Sequence, residues 1–338
     1  MKRDAVSDAL RGFAIIVVVF GHVYGWLDVM SISFEGDKVV PAFVFTFHMP
    51  LFFMMSGYVH GLKEHFQSGE QYKYYFKKNV ISIYIPCLFF SYLQAFLNLL
   101  MSFYLEGVNV PSVYDFLLIP FSGFLNYWFL CELFLVKSVH LLLERYVKSE
   151  YIHMLFWLIV FIVIKPFTFS EILPEFVIFF TYGLYFHIGF VMRRYNILSE
   201  RLSYGIILLL IGTACFIVNY IYGNKNVILQ TGTALCLSLA CFMIFYALRI
   251  TNSFLVMCGL YSMVIYCIHN YGAVIFRLSY KLLNLQMFNL HASLLFLMCF
   301  AFALFIPLMT VWLYKNVKCL RWVEYIFYPG KYKRNPLP

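Results

Sequence analysis

Residues 7–27 read SDALRGFAIIVVVFGHVYGWL, and this apolar stretch decides the fold because it is long enough to cross a bilayer as a helix. Within it, ten residues separate Arg11 from His22. At ~100° and ~1.5 Å per residue, eleven helical steps leave the two side chains roughly 20° apart in direction and about 16 Å apart in height. Ionisable side chains at membrane depth are costly and by default mark a functional site. The stretch therefore predicts a membrane helix with a cation near one end and an imidazole on the same face. The alternative is a juxtamembrane arginine with one packed polar residue.

The composition extends this prediction to the whole chain. Hydrophobic residues make up 63% of the 338 residues and charged residues only 12%, whereas soluble domains carry about a quarter charged residues. We predict an all-α, polytopic integral membrane protein that forms a single domain over residues 1–338. The first apolar segment lacks a small-residue cleavage site, so we expect it to be retained. About ten transmembrane helices are predicted, near residues 9–27, 42–62, 80–103, 124–143, 151–164, 176–192, 202–222, 227–248, 254–276 and 292–314.

The distribution of positive charge predicts the topology. With ten helices, 19 of the 25 Lys and Arg residues fall on the side of the N-terminus, including a basic tail over residues 315–338. Such a bias places both termini in the cytoplasm. The net charge of +9 is then a topology signal beside anionic membrane lipids, and no nucleic-acid partner is expected. Five basic residues fall on the opposite side: Lys38, Lys165, Lys225, Arg277 and Lys281.

The nine cysteines predict neither a disulfide framework nor a metal site. Eight fall in predicted helices, and Cys319 lies in the cytoplasmic tail. Scattered cysteines of this kind pack as small apolar residues. We therefore expect no metal.

Four polar residues at similar predicted depth form the candidate site. His48 and His269 should lie in the outer half of the membrane, level with His22, while Glu132 lies near mid-membrane and needs a partner. We expect His22, His48, Glu132 and His269 to converge from four helices, although sequence alone does not give the helix order. The remaining histidines at predicted membrane edges are expected to be solvated: His60, His65, His140, His153 and His291.

Four motifs in order resemble membrane acyltransferase family 3. The first helix of that family typically reads D-x-x-R-G-x-A-I-x-x-V-x-x-x-H, and here the spacing of Arg11 and His22 is kept. A second pattern, M-P-L-F-F followed by S-G, is matched over residues 49–57. The last two motifs are matched by Trp128 to Leu130, and by Ser262, Tyr266 and His269.

The resemblance covers nearly the whole chain and implies an O-acyltransferase. Members acylate sugars of bacterial surface polysaccharides, peptidoglycan, lipopolysaccharide and nodulation factors, and this chain looks most like the short fucose 4-O-acetylase-type subgroup. It implies acetyl-CoA as donor and a sugar or glycan as acceptor, free or lipid-linked. It also implies a multi-pass location in a bacterial inner (plasma) membrane, with partners from polysaccharide biosynthesis.

Acyl transfer to a hydroxyl assigns roles to the candidate residues. A base must remove the hydroxyl proton, and a histidine near neutral pKa suits that role. We assign it to His22, with Glu132 or His48 orienting it or stabilising the oxyanion, and His269 as a further catalytic candidate. Arg11 is the predicted donor-binding residue, because acetyl-CoA is anionic and a pantetheine arm is about as long as the distance to His22. His187 is expected to be packed or to lie on the CoA side.

Two other classes of function remain open. A transporter or flippase for a lipid-linked sugar could use the same buried polar cavity, although such proteins often show internal repeats that are not visible here. A structural partner in a polysaccharide assembly complex would not require His22 at all.

Overall fold

The computed structural model describes residues 4–29, 38–61, 69–104, 108–169, 180–198, 200–223, 226–283 and 291–329. Several predictions lie outside these residues. They concern His65, Lys225, the first residues of the predicted sixth helix (176–179) and the end of the basic tail (330–338).

Every regular element in the described residues is a helix, which confirms the predicted all-α class. Short π and 3-10 turns interrupt the α-helices at Val80–Tyr84, Leu125–Tyr127, Lys165–Phe169 and Lys318–Leu320. The α-helices are α1 (Ala5–Val29), α2 (Val39–His60), α3 (Gly69–Asn79), α4 (Ile85–Met101), α5 (Val113–Ser122), α6 (Trp128–Tyr146), α7 (Glu150–Ile164), α8 (Tyr182–Arg194), α9 (Leu202–Ile221), α10 (Val227–Ala247), α11 (Ser253–Leu260), α12 (Ser262–Leu282), α13 (Ala292–Asn316) and α14 (Val323–Phe327).

Seven helical segments of the described chain are long and apolar enough to cross a membrane, and a bent pair makes up to eight. The third of these is longer than predicted, because α3 continues through the π turn into α4 and begins at Gly69 rather than near Val80. The predicted fourth and sixth spans correspond to α6 and α8, which are not among these segments. The predicted count of ten is therefore supported only as far as seven or eight.

The predicted ninth span is two helices rather than one. α11 and α12 meet at Tyr261 with an angle of 86° between their axes. No proline marks this corner. Lys315 of α13 donates a hydrogen bond to the Tyr261 hydroxyl, so the corner is fixed by contacts from another helix.

The chain divides into two compact units. The first contains residues 1–52 and 198–320, and the second contains residues 53–197 and 321–338. The first thus holds α1, the first part of α2, and α9 to α13; the second holds the rest of α2, α3 to α8, and α14.

In the first unit, α1 packs against α11, α12 and α13. The contact with α11 has no room for a side chain, since a Cβ on Gly12 would lie 1.8 Å from the Leu255 carbonyl oxygen. A Cβ on Gly259 would lie equally close to the Asp8 carbonyl oxygen. Small residues allow such close approach of membrane helices. This contact fixes the Arg11 end of α1 against α11.

In the second unit, the end of α2 packs in the same way against α8. A Cβ on Gly57 would lie 1.8 Å from the Phe186 carbonyl oxygen, and one on Gly189 would lie 1.9 Å from that of Met54. Gly57 of the second motif thus serves close helix packing. This contact brings the end of α2 close to the middle of α8.

Candidate active site

The Arg11–His22 spacing lies on one continuous helix, as predicted. α1 has 25 residues, and Asp4 caps its N-terminus by accepting hydrogen bonds from the backbone N–H groups of Val6 and Ser7. The Tyr246 hydroxyl of α10 also donates to this carboxylate. Burial alone would raise the pKa of Asp4, but the hydrogen bonds from Tyr246 and Ser7 outweigh it and hold the pKa below its usual value. Asp4 therefore ties the start of α1 to α10 as a carboxylate.

Arg11 pairs with Asp8 one turn earlier on α1. Its guanidinium Nη1 lies 3.6 Å from Asp8 Oδ1. The Arg11 side chain is 26% exposed and that of Asp8 only 7%. Asp8 thus holds the arginine in place while part of the guanidinium stays accessible, as an anion-binding residue requires.

His22 and His269 lie in contact within the first unit. Their ring centroids are 5.3 Å apart with an angle of 40° between the planes. His269 of α12 is fully buried, and its Nδ1–H donates to the carbonyl oxygens of Tyr266 at 2.7 Å and Ile265 at 3.1 Å. Because a carbonyl oxygen can only accept, this places the Nδ1 proton and leaves Nε2 with its lone pair in the neutral ring.

His48 of α2 is anchored in the same way. It is 5% exposed, and its Nδ1–H donates to the Val44 carbonyl oxygen at 3.0 Å. The Phe45 ring lies 5.3 Å from the His48 ring and 6.4 Å from the His22 ring, so one aromatic side chain lies beside both histidines. His22 itself is half-buried, whereas the other two are buried. We call His22, His48 and His269 the three-histidine group. Its accessible member is His22.

Glu132, the fourth predicted residue, belongs to the second unit. It lies on α6, is 2% exposed, and its Oε1 makes no hydrogen bond within the described residues. Tyr182 of α8 lies beside Trp128 of α6, with ring centroids 5.8 Å apart. A buried carboxyl group with an unsatisfied oxygen is unusual and often functional.

Basic residues of the second unit occupy two settings. Arg193 of α8 donates to the Tyr58 hydroxyl at 3.0 Å and lies over its ring, so its position is fixed. Three lysines project from the exposed surface of α3: Lys73, Lys77 and Lys78.

The expectation that His60, His140 and His153 are solvated is wrong, although His291 is exposed as expected. Those three are 0–2% exposed and lie with buried His187 in the second unit, beside Glu144 and Glu150. We call these six residues the histidine–glutamate cluster. The cluster contains two triads, and within each triad one donor atom per residue lies within 4.8 Å of the others. The first triad is His60, His140 and Glu144; the second is Glu150, His153 and His187.

A sequence signal for this cluster exists. His140 and Glu144 are four residues apart, and Glu150 and His153 three apart, so each pair shares one helix face. Two such pairs on consecutive helices indicate a buried polar cluster more strongly than the position of each histidine at a membrane edge indicates exposure to solvent.

Comparison with known proteins gives one match. The model of the family Acyl_transf_3, described as an acyltransferase domain, matches residues 5–312. This range includes every candidate residue named above. No curated protein and no solved structure matches the chain.

Proposed function

Since the chain belongs to acyltransferase family 3 and is thus an acyltransferase, we propose that it transfers an acetyl group from acetyl-CoA to a sugar hydroxyl of a cell-surface or exported glycan. The single observation that carries the proposed site is the contact of half-buried His22 with the backbone-anchored His269. It joins the first and last motif histidines of the matched range.

In the proposed reaction, His22 acts as the general base. Its imidazole removes the proton of the acceptor hydroxyl as the oxygen attacks the thioester carbonyl carbon. A C–O bond forms, the C–S bond breaks, and the imidazolium returns the proton to the CoA sulfur. All bonds and the proton are accounted for, so the step needs neither an acyl-enzyme nor a further reactant.

His269 and His48 support His22 as positioning residues. With Nδ1–H committed to backbone carbonyls, their neutral rings face the group with an acceptor nitrogen rather than a donor. They can therefore orient an N–H of His22 or stabilise its imidazolium, but as neutral rings they cannot donate to an oxyanion through Nε2. This geometry favours orientation over the alternative oxyanion role of His48.

Arg11 is the proposed contact for the anionic part of acetyl-CoA. It is held by Asp8, is partly accessible, and lies about 16 Å along α1 from His22 in ideal helical geometry. That distance would let Arg11 contact the phosphates of acetyl-CoA while the thioester lies near His22. Glu132 is proposed to orient a reacting group or to stabilise the oxyanion, in keeping with its unsatisfied Oε1.

We further propose ten spans with both termini in the cytoplasm of a bacterium's inner membrane. α6 and α8 are then the two spans beyond the eight segments of sufficient length. Reporter fusions after Lys38 and Gly223 should report the outer side, and a fusion after Lys78 the cytoplasm. An outer-side signal at Lys78 would overturn this topology.

The function is tested with the full chain in membrane vesicles. Acetyl-CoA and surface glycan from a deletion strain should together give CoA release and a mass increase of the glycan by one acetyl group. Acetyl-CoA hydrolysis that does not depend on the glycan would contradict the proposal. The transporter alternative receives no support, because the family match is to acyltransferases.

A further inference from the structure

The histidine–glutamate cluster has no part in the proposed acyl transfer, yet it collects titratable groups from four helices. His60 ends α2, His140 and Glu144 lie on α6, and α7 begins with Glu150 and His153. The His140 ring lies 5.3 Å from His60, 5.9 Å from His153 and 5.4 Å from His187 of α8. Their burial requires that their polar atoms be satisfied inside the protein.

In one triad of the cluster, His153 is oriented as a metal ligand would be. Its Nε2–H donates to the Val147 carbonyl oxygen at 2.9 Å, while Nδ1 faces Glu150 Oε2 at 3.2 Å. A metal-bound imidazole commonly donates its other ring N–H to a carbonyl in this way, which fixes the tautomer and the ring. With Nε2 protonated, the neutral ring turns its Nδ1 lone pair toward a carboxylate oxygen. A cation bound by both atoms would satisfy this contact, as would a second proton on the ring.

His187 supplies the independent observation. It is fully buried, and neither ring nitrogen makes a well-formed hydrogen bond in the part of the chain that the structure describes. Its ring stacks on Phe190 at 5.8 Å and meets His153 at 6.0 Å. One donor atom each from Glu150, His153 and His187 lie mutually within 4.8 Å.

We propose that Glu150, His153 and His187 bind one divalent transition-metal ion of the zinc class. Two imidazoles and one carboxylate are a ligand set that Zn²⁺ accepts, with a fourth position for water. Hard ions such as Mg²⁺ prefer oxygen ligands and fit this set poorly. The ion would join α7 to α8.

The neighbouring triad provides the matched comparison. There, His60 Nε2 lies 3.0 Å from Glu144 Oε2, a contact of the same kind as that between His153 and Glu150. His60 and His187 are equally buried histidines of the same unit. We assign the ion to the Glu150 triad because the Val147 carbonyl oxygen holds the second ring nitrogen of His153, as in a metal-bound imidazole, and we assign a hydrogen-bonded pair to the His60 triad.

The test uses the full chain purified in detergent with an affinity tag that contains no histidine. Elemental analysis should find about one Zn²⁺ per chain, as expected for a single site. His187→Gln and Glu150→Gln each remove a direct ligand and should weaken Zn²⁺ affinity by more than about 100-fold. Loss of a group that only hydrogen-bonds to a ligand already costs up to about 100-fold. His60→Gln should keep the ion. Substitution by Co²⁺ should give visible absorption bands that His187→Gln removes.

A measurement on the wild-type chain guards against variants that fail to fold. Chelation should lower the melting temperature in detergent, and Zn²⁺ but not Mg²⁺ should restore it. Absence of metal from the purified chain together with no response to added Zn²⁺ would overturn the proposal. Equal loss in His60→Gln and His187→Gln would overturn the assignment to this triad.

Discussion

The chain holds two groups of neighbouring histidines, one in each compact unit, and they differ in what anchors the rings. In the three-histidine group, backbone carbonyls one turn earlier hold Nδ1 of His48 and His269. In the histidine–glutamate cluster, carboxylates meet the ring nitrogens of His60 and His153. A carbonyl fixes a tautomer without adding charge, so the ring remains a neutral proton acceptor. A carboxylate brings the charge that a bound cation needs.

The same contrast appears in accessibility. His22 is half-buried, whereas all four histidines of the cluster are buried. A base must meet a substrate that comes and goes, but a structural ion is enclosed once the chain has folded. One residue type thus serves two kinds of chemistry according to its anchor and its exposure.

The largest expected effect is that of His22→Gln, which should reduce acetyl transfer without changing the metal content of the histidine–glutamate cluster. His22→Gln keeps the size of the side chain but cannot exchange a proton near neutral pH, so acetyl transfer should fall by about 10²- to 10⁴-fold. The Zn²⁺ content of the variant should equal that of the wild type. Transfer assays and elemental analysis of the same preparation check both points, with His291→Gln as the exposed control. Turnover within a few-fold of wild type would exclude His22 and direct attention to His48.

Two glycine substitutions should each disturb the packing beside its own group. Gly12→Ala places a methyl group 1.8 Å from a carbonyl oxygen of α11, and Gly57→Ala does the same against α8. Forced repacking of this kind costs about 1–3 kcal/mol. We expect lower melting temperatures in detergent for both, with lost transfer in the first and lost metal in the second.

Gly25→Ala is the control for these substitutions, because nothing lies within 4 Å of a Cβ there. Alanine favours a helix over glycine by up to about 1 kcal/mol, so its melting temperature should stay level or rise. Equal destabilisation by Gly25→Ala and Gly12→Ala would show that the close contact of α1 with α11 has no special role.

Replacing Arg11 should affect donor binding rather than the chemical step. A charge-assisted hydrogen bond contributes about 1.5–3 kcal/mol, so Arg11→Ala should raise the KM for acetyl-CoA about ten- to a hundredfold. Arg11→Lys should recover part of the loss, since it keeps the charge but not the fork of donors. Steady-state kinetics at several donor concentrations measures this. If a folded Arg11→Ala protein has an unchanged KM for acetyl-CoA, Arg11 does not bind the donor and contributes only to membrane topology.

The smallest effect concerns Asp4 and pH. Its folded pKa is below the ordinary value, so its stabilising contribution is complete above that ordinary value and is lost as pH falls through the folded pKa. The contribution should be a fraction of a kcal/mol because the group is partly exposed. Asp4→Asn keeps a capping side chain but removes the charge. The difference between the melting temperatures of wild type and variant should begin to shrink below about pH 4, the ordinary carboxyl pKa, and should vanish once the pH is below the lower folded pKa; a constant difference would contradict this prediction.

The sequence predicted those parts of the site that depend on one helix. The spacing of Arg11 and His22 follows from helical periodicity alone, and so does the Asp8–Arg11 pair. The contact between His22 and His269 was reached from agreement in depth together with the family motifs. Whether Glu132 acts with them stays a prediction.

The features that sequence analysis missed arise from contacts distant in the chain. His60 and His153 lie at helix ends, where single-residue reasoning predicts solvent. Gly57 and Gly189 bring α2 close to α8 near His60, and Gly183 of α8 makes room for Trp157 on α7, the helix that carries His153. The corner at Tyr261 carries no proline and falls in an apolar stretch, because partners on α13 and α1 define it. Such contacts leave no periodic pattern.

In the proposed topology, the corner between α11 and α12 also bears on the side of the membrane on which the later segments lie. A chain that crosses a membrane an even number of times ends on the side where it began. Seven straight segments are an odd number, and the bent pair makes the count even; α6 and α8 together leave that parity unchanged. If the pair entered and returned on the same side, Lys315, Lys318 and Arg321 would face away from the N-terminus. In the proposed topology, whether the pair that meets at this 86° corner crosses the membrane therefore sets the compartment of the basic tail.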